Sequence, residues 1–127
     1  MTEFDLIVFR AGGKLFGVDA TQVERLTLVH STDSGEAICL SHRLGGPETA
    51  SPRRTRMTIR HSAGPVQVDV DAVEDILPRY PVQRVYALPP LIHATKGIRW
   101  IWGLADWQGE PVLLVDLDEM DICSEVE

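Results

Sequence analysis

The chain alternates apolar and polar positions in short runs broken by glycine, proline and serine, a pattern that predicts strands joined by tight turns. Asp5-Leu6-Ile7-Val8-Phe9-Arg10 is the first β-rich run, Ala11-Gly12-Gly13-Lys14 a turn, and Leu15-Phe16-Gly17-Val18 the return strand of a hairpin. After Asp19 the period changes. Ala20, Val23 and Leu26 recur every three residues, which predicts one or two helical turns with Asp19 as N-cap and Gln22 at the capping-box position. Asp71 and Glu74 repeat that arrangement, and Pro78 would close the second short helix. Residues 41–52, rich in Gly, Pro and Ser, read as a surface loop. Strands resume at Met57-Thr58-Ile59-Arg60, a turn falls at Ser62-Ala63-Gly64, and residues 65–70 alternate so that Val66, Val68 and Val70 share a buried face. Val85-Tyr86-Ala87-Leu88 runs into the extended pair Pro89-Pro90. Residues 97–105 and 111–117 form the last strand pair about the turn Trp107-Gln108-Gly109-Glu110, and an acidic tail follows as a short helix or frayed end.

Two segments of this pattern recur. Phe16-Gly17-Val18-Asp19-Ala20-Thr21-Gln22-Val23-Glu24-Arg25-Leu26 returns in compressed form as Val68-Asp69-Val70-Asp71-Ala72-Val73-Glu74-Asp75-Ile76-Leu77, and Gly35-Glu36-Ala37-Ile38-Cys39-Leu40 is echoed by Gly109-Glu110-Pro111-Val112-Leu113-Leu114. The echoes keep their order, as one supersecondary unit used twice would. Their spacing differs: Asp19 lies 16 positions before Gly35, whereas Asp71 lies 38 before Gly109. The first copy is shorter by about 22 positions.

Composition narrows the functional classes. At 127 residues and 44% hydrophobic, the chain is the size of one ordinary domain. No apolar run approaches the ~20 residues of a membrane span, and the acidic start Met1-Thr2-Glu3-Phe4-Asp5 is unlike a signal peptide, so a cytoplasmic location is expected. Cys39 and Cys123 stand far apart and read as thiols rather than a bridge. The net charge of −7 argues against nucleic acid. One basic stretch, Pro52-Arg53-Arg54-Thr55-Arg56-Met57-Thr58-Ile59-Arg60, runs against the overall charge but contains no aromatic residue to stack on bases. It reads as a solvated strand edge, with contact to an acidic protein partner as the alternative.

Catalysis finds little support. His30, His42, His61 and His93 never take the spacing of a zinc site, the acidic run after Asp116 lacks the glycine and final glutamate of an EF-hand, and no nucleophile elbow or phosphate loop is present. Neither a metal nor a cofactor is expected. Surface recognition remains, and the tryptophans are its best evidence, because large aromatics anchor interfaces. Trp100 and Trp102 stand two apart in a strand-like run and so share a face; Trp102, beside Gly103, reads as core, while Trp100 and Trp107 are candidates for partner contact.

The runs Leu6-Ile7-Val8-Phe9-Arg10, Leu15-Phe16-Gly17-Val18-Asp19 and Val23-Glu24-Arg25-Leu26, with Val70 to Leu77, Ile101-Trp102-Gly103-Leu104 and Leu113-Leu114-Val115-Asp116-Leu117, resemble a CheW-like domain in order and spacing. The likeness extends over residues 4–120. It implies an all-β fold of two small, packed five-stranded β-barrels of the Src-homology type, and a non-catalytic adaptor that couples chemoreceptors to a CheA-type histidine kinase. The chain departs from the pattern between Leu26 and Gly35, where the family carries an additional stretch ending in Asn-Leu-Arg-Gly; its arginine belongs to the region implicated in signalling contacts.

These readings give a single CheW-like domain with an abbreviated first sub-barrel over residues 4–56, a second over 57–120 and an acidic tail at 121–127. Partner contacts are expected at Ile38, Leu40, Arg43, Trp100 and Trp107. Two other roles compete: a regulatory or self-associating module that kept the fold but lost receptor coupling, and, more remotely, a small-ligand-binding barrel. A barrel short of strands leaves an open edge. The loop Thr32-Asp33-Ser34 could fold into it, a second copy could pair there as a homodimer through Ile38, Cys39 and Leu40, or a different partner could add the strand.

Overall fold

The computed structural model describes residues 2–30, 38–40, 53–87 and 100–119. Nine strands account for most of them: β1 (Glu3–Ala11), β2 (Lys14–Asp19), β3 (Val23–His30), β4 (Ile38–Cys39), β5 (Arg53–His61), β6 (Gly64–Val70), β7 (Ala72–Pro81), β8 (Ile101–Trp107) and β9 (Glu110–Val115). They form a five-stranded sheet in the order β7-β1-β2-β9-β8 and a four-stranded sheet in the order β3-β5-β6-β4. The all-β expectation holds. The two closed barrels do not appear among the described residues, where each sheet has two ends.

The repeat has a direct structural meaning. In each sheet a hairpin (β1-β2 or β5-β6) is flanked by an antiparallel strand on one side, β7 or β3, and by a parallel strand on the other, β9 or β4. The first echo is the crossover that leaves a hairpin and enters the opposite sheet, β2 to β3 and β6 to β7; the second echo is the parallel partner, β4 and β9. Each half of the chain therefore supplies a hairpin to one sheet and two flanking strands to the other. The boundary expected between residues 56 and 57 lies within the span of β5, Arg53–His61. β8, antiparallel to β9, has no counterpart beside β4 among the described residues.

The crossovers correct the helix expectations. A 3-10 helix forms over Ala20–Gln22, with the Asp19 carboxylate accepting from the Thr21 amide at 3.0 Å, but Val23 already begins β3. After Asp71 there is no helix at all, and β7 starts at Ala72. The second copy lacks the two residues that make the first turn, and Asp71 instead accepts from the Gly12 amide of the β1-β2 turn at 3.0 Å. Pro78 ends nothing: it sits within β7, the sheet's edge strand, where a missing amide costs no ladder bond. After a 3-10 helix at Val82–Arg84, the described part of the run from Val85 makes an isolated bridge, Tyr86 to Leu104, and Leu88-Pro89-Pro90 lie outside the described residues.

A shared core lies between the sheets. Ile7, Phe9, Phe16 and Val18 of one sheet meet Met57, Ile59, Val68 and Val70 of the other, with Leu40, Trp100 and Leu117 completing it. Val68 and Val70 are buried as their alternation predicts, and Val66 is partly so. The five-stranded sheet has a second core on its other face, built from Phe4, Leu6, Val8, Leu15, Val112 and Leu114. That face is packed so closely that a Cβ on Gly17 would stand 2.7 Å from Leu6 Cδ1 and 3.0 Å from Leu114 Cδ2, which only glycine avoids.

Candidate protein-interaction site

The first crossover builds a cleft. Gln22, held at the end of its 3-10 turn, donates through Nε2 to Asp116 Oδ1 at 2.6 Å and accepts through Oε1 from the Leu117 amide at 3.0 Å. This pair of hydrogen bonds ties the β2-β3 corner to the end of β9. Beside it lies a cleft of about 360 Å³ whose walls are Phe4, Val82, Val115 and Trp102, with Asp19, Gln22 and Asp116 at the rim. Trp102 is 45% exposed. Its ring stands 6.2 Å from Phe4, which in turn meets Tyr80 edge-on at 5.9 Å, and Arg84 lies over the Tyr80 ring at 5.5 Å. The indole is thus presented to solvent on an aromatic support, which lowers the entropy lost when a partner covers it.

An apolar wall, one exposed indole and two carboxylates suit a protein segment carrying aliphatic and basic side chains. Among the described residues, the charged groups lining it are the carboxylates of Asp19 and Asp116. Among the described residues no three His, Cys, Asp or Glu side chains group as metal ligands.

The residues expected at partner contacts are not brought together. Leu40 is fully buried in the shared core, and Trp100 is 7% exposed there. Trp107 is half-buried, its Nε1 donating to Asp75 Oδ2 at 3.0 Å. Ile38 pairs with Val68 in the sheet, and Arg43 lies outside the described residues. Trp100 and Trp102 do not share a face: Trp100 precedes β8, its carbonyl taken by the Asp116 amide, and the ladder shifts register between Ile101 and Gly103. The exposed tryptophan is Trp102, which the sequence reading assigned to the core. Alternation along the run does not reveal this, because Ile101 belongs to the shared core and Ala105 to the second one, on opposite sides of the register shift.

Part of the basic stretch is paired within the chain. Arg56 binds the buried Asp69 carboxylate through two nitrogens, at 2.8 and 3.1 Å, and Arg54 Nε lies 3.7 Å from the same carboxylate. Arg60 approaches Glu24 at 3.9 Å.

With this geometry in place, the comparison with solved structures decides the fold. The crystal structure of the scaffolding protein TtCheW from Thermoanaerobacter tengcongensis superposes with a TM-score of 0.70 at 17% identity, over 92% of this chain and 90% of that one. The chain has a CheW-like fold. No family model and no curated protein matches its sequence. Agreement at this level of identity extends to the fold, so the two sheets, the strand exchange and the crossover corners are what the CheW-like scaffold here consists of. Among the described residues, no helix is long and apolar enough to cross a membrane.

Proposed function

We propose that this protein is a non-catalytic adaptor of chemotaxis-type signal transduction, joining chemoreceptors to a CheA-type histidine kinase in the cytoplasm. The observation that carries the proposal is the CheW-like fold across 92% of the chain, shared with a protein described as a scaffold. The cleft beside Trp102, with its apolar side chains and exposed indole, supports the reading as a preorganised place for such contacts. A second reading, a regulatory module that kept the fold without receptor coupling, is favoured by the four-stranded sheet, which lacks a counterpart of β8 among the described residues. The ligand-binding barrel is less suited, because Leu6, Val8, Leu15 and Leu114 fill the second face of the five-stranded sheet.

Calorimetry against the regulatory domain of the CheA-type kinase from the same organism tests the adaptor reading. Saturable heat at micromolar concentrations, weakened at least about tenfold by Trp102→Ala as for an interface anchor, is the expected result. Absence of heat at high micromolar concentration would overturn it in favour of the regulatory module.

A further inference from the structure

Among the described residues four strands end the two sheets, and three of them are poorly suited to pairing. β7 carries Pro78, a left-handed Arg79 (φ 56°) and two register shifts, all of which prevent a partner strand from adding. β8 is already bridged, since Tyr86 and Leu104 exchange both amide bonds at 2.8 and 2.9 Å. β4 is two residues long. β3 differs: it runs for eight residues, contains neither proline nor glycine, and its only irregularity lies at its start, between Val23 and Arg25. It is also the strand equivalent to the blocked β7, so the same place in the repeat is protected in one sheet and open in the other.

The open strand displays an apolar face. Leu26 pairs with Met57 and Leu28 with Thr55, which puts both leucines on the core-facing side of the sheet, yet Leu28 is 77% and Leu26 38% exposed. The sequence Glu24-Arg25-Leu26-Thr27-Leu28-Val29-His30 is close to self-complementary about Thr27. In an antiparallel pair centred there, Leu26 stands opposite the partner's Leu28 and Leu28 opposite the partner's Leu26, and Glu24 faces the position of the partner's His30. Centring on Leu26 would set Leu28 against Glu24, and centring on Leu28 would set Leu26 against His30. Only the Thr27 register gathers all four leucines and opposes no like charges.

We propose that two copies of this chain associate through β3, pairing antiparallel about Thr27 to join their four-stranded sheets into one of eight strands. The occupant of this edge is a second copy because the register is satisfied by the strand itself, with leucine against leucine and no like charges opposed. The inference is independent of the adaptor reading and uses a different surface from the Trp102 cleft.

Sedimentation velocity of the full chain across low to high micromolar concentration tests it, together with two variants. The expected mass rises from one chain to two in the parent and stays at one in Leu28→Lys, whose exposed position leaves the circular dichroism melt unchanged. Thr27→Cys, made with Cys39→Ser and Cys123→Ser, forms a disulfide-linked dimer under mild oxidation, because residues across the twofold lie about 4.5–5.5 Å apart, within the roughly 4.4–6.8 Å span of a disulfide. A single-chain mass at every concentration overturns the proposal. So does a dimer that persists in Leu28→Lys, which would place the contact on a surface other than β3.

Discussion

β1 and β5 hold the same place in their sheets, each between its hairpin partner and a returning edge strand, yet they are built from opposite kinds of residue. β1 reads Leu6-Ile7-Val8-Phe9, apolar without interruption, because Ile7 and Phe9 face the shared core while Leu6 and Val8 face a second one. β5 reads Arg54-Thr55-Arg56-Met57-Thr58-Ile59-Arg60, and only Thr55, Met57 and Ile59 are buried. Its other face bears Arg54 and Arg56 gathered on Asp69. The lesson is that the fold requires one apolar face per sheet, where the sheets meet. The second apolar face accompanies the fifth strand: β8 contributes Ala105 to that core, and the sheet without a described counterpart of β8 has charges there instead.

The sharpest test places one carboxylate on each strand. Val8→Asp buries an unpaired charge among apolar side chains and should cost more than about 4 kcal/mol, a large part of the roughly 5–15 kcal/mol that holds a domain together. Thr58→Asp, at the matching face of β5, should stay within about 1 kcal/mol. Thermal melts of the pair decide it; equal losses would mean that β5 is packed on both faces. Val70→Asp enters the shared core and belongs with Val8→Asp, since Val70 is 2% exposed.

Next in size is Arg56→Ala. It strips the buried Asp69 of its two-nitrogen partner and should cost about 3–5 kcal/mol, and replacing both residues together, Arg56→Met with Asp69→Leu, should recover most of it. Arg10→Ala removes a partly exposed pair with Glu74, 3.2 Å apart, and should cost no more than about 1 kcal/mol. Urea titration separates these outcomes. Gly17→Ala tests the second core from its tightest point, with about 1–3 kcal/mol lost through overpacking and a correspondingly lower melting temperature. The smallest effect belongs to the crossover: Asp19→Ala removes the cap on the Thr21 amide and should cost about 1 kcal/mol, read as a shift of a few degrees.

What could be read in advance follows from which signals are local. Hairpin β1-β2 announces itself through Gly12-Gly13 between apolar runs, and the alternation of β6 marks Val68 and Val70 as core; both depend on neighbours within a few residues. The repeat was legible as well, because Val-Asp-Ala followed by Val-Glu marks both crossovers. Strand exchange was not. Nothing in β2 says that its parallel neighbour is β9 rather than β4, since that choice is made by packing across the molecule. The helix expected after Asp71 failed for a related reason: a period of three over so few residues is outweighed by seven paired positions of ladder with β1. Trp100, expected at a partner contact, is buried and Trp102, expected in the core, is exposed; the register shift between Ile101 and Gly103 separates their faces, and a bulge leaves no mark in composition.

The exchange of strands also bears on how the chain is made. Phe16 must find Leu113, 97 positions later, and Ile7 must find Ile76. At a synthesis rate of roughly 5–20 residues per second, the first hairpin leaves the ribosome about 5–20 seconds before its parallel neighbour exists. Through that interval Leu6, Val8 and Leu15 have neither the neighbouring strand nor its Val112 and Leu114 to cover them. A ribosome pausing between β7 and β9 would lengthen the interval, and the nascent chain would be most open to chaperones and to aggregation at that stage.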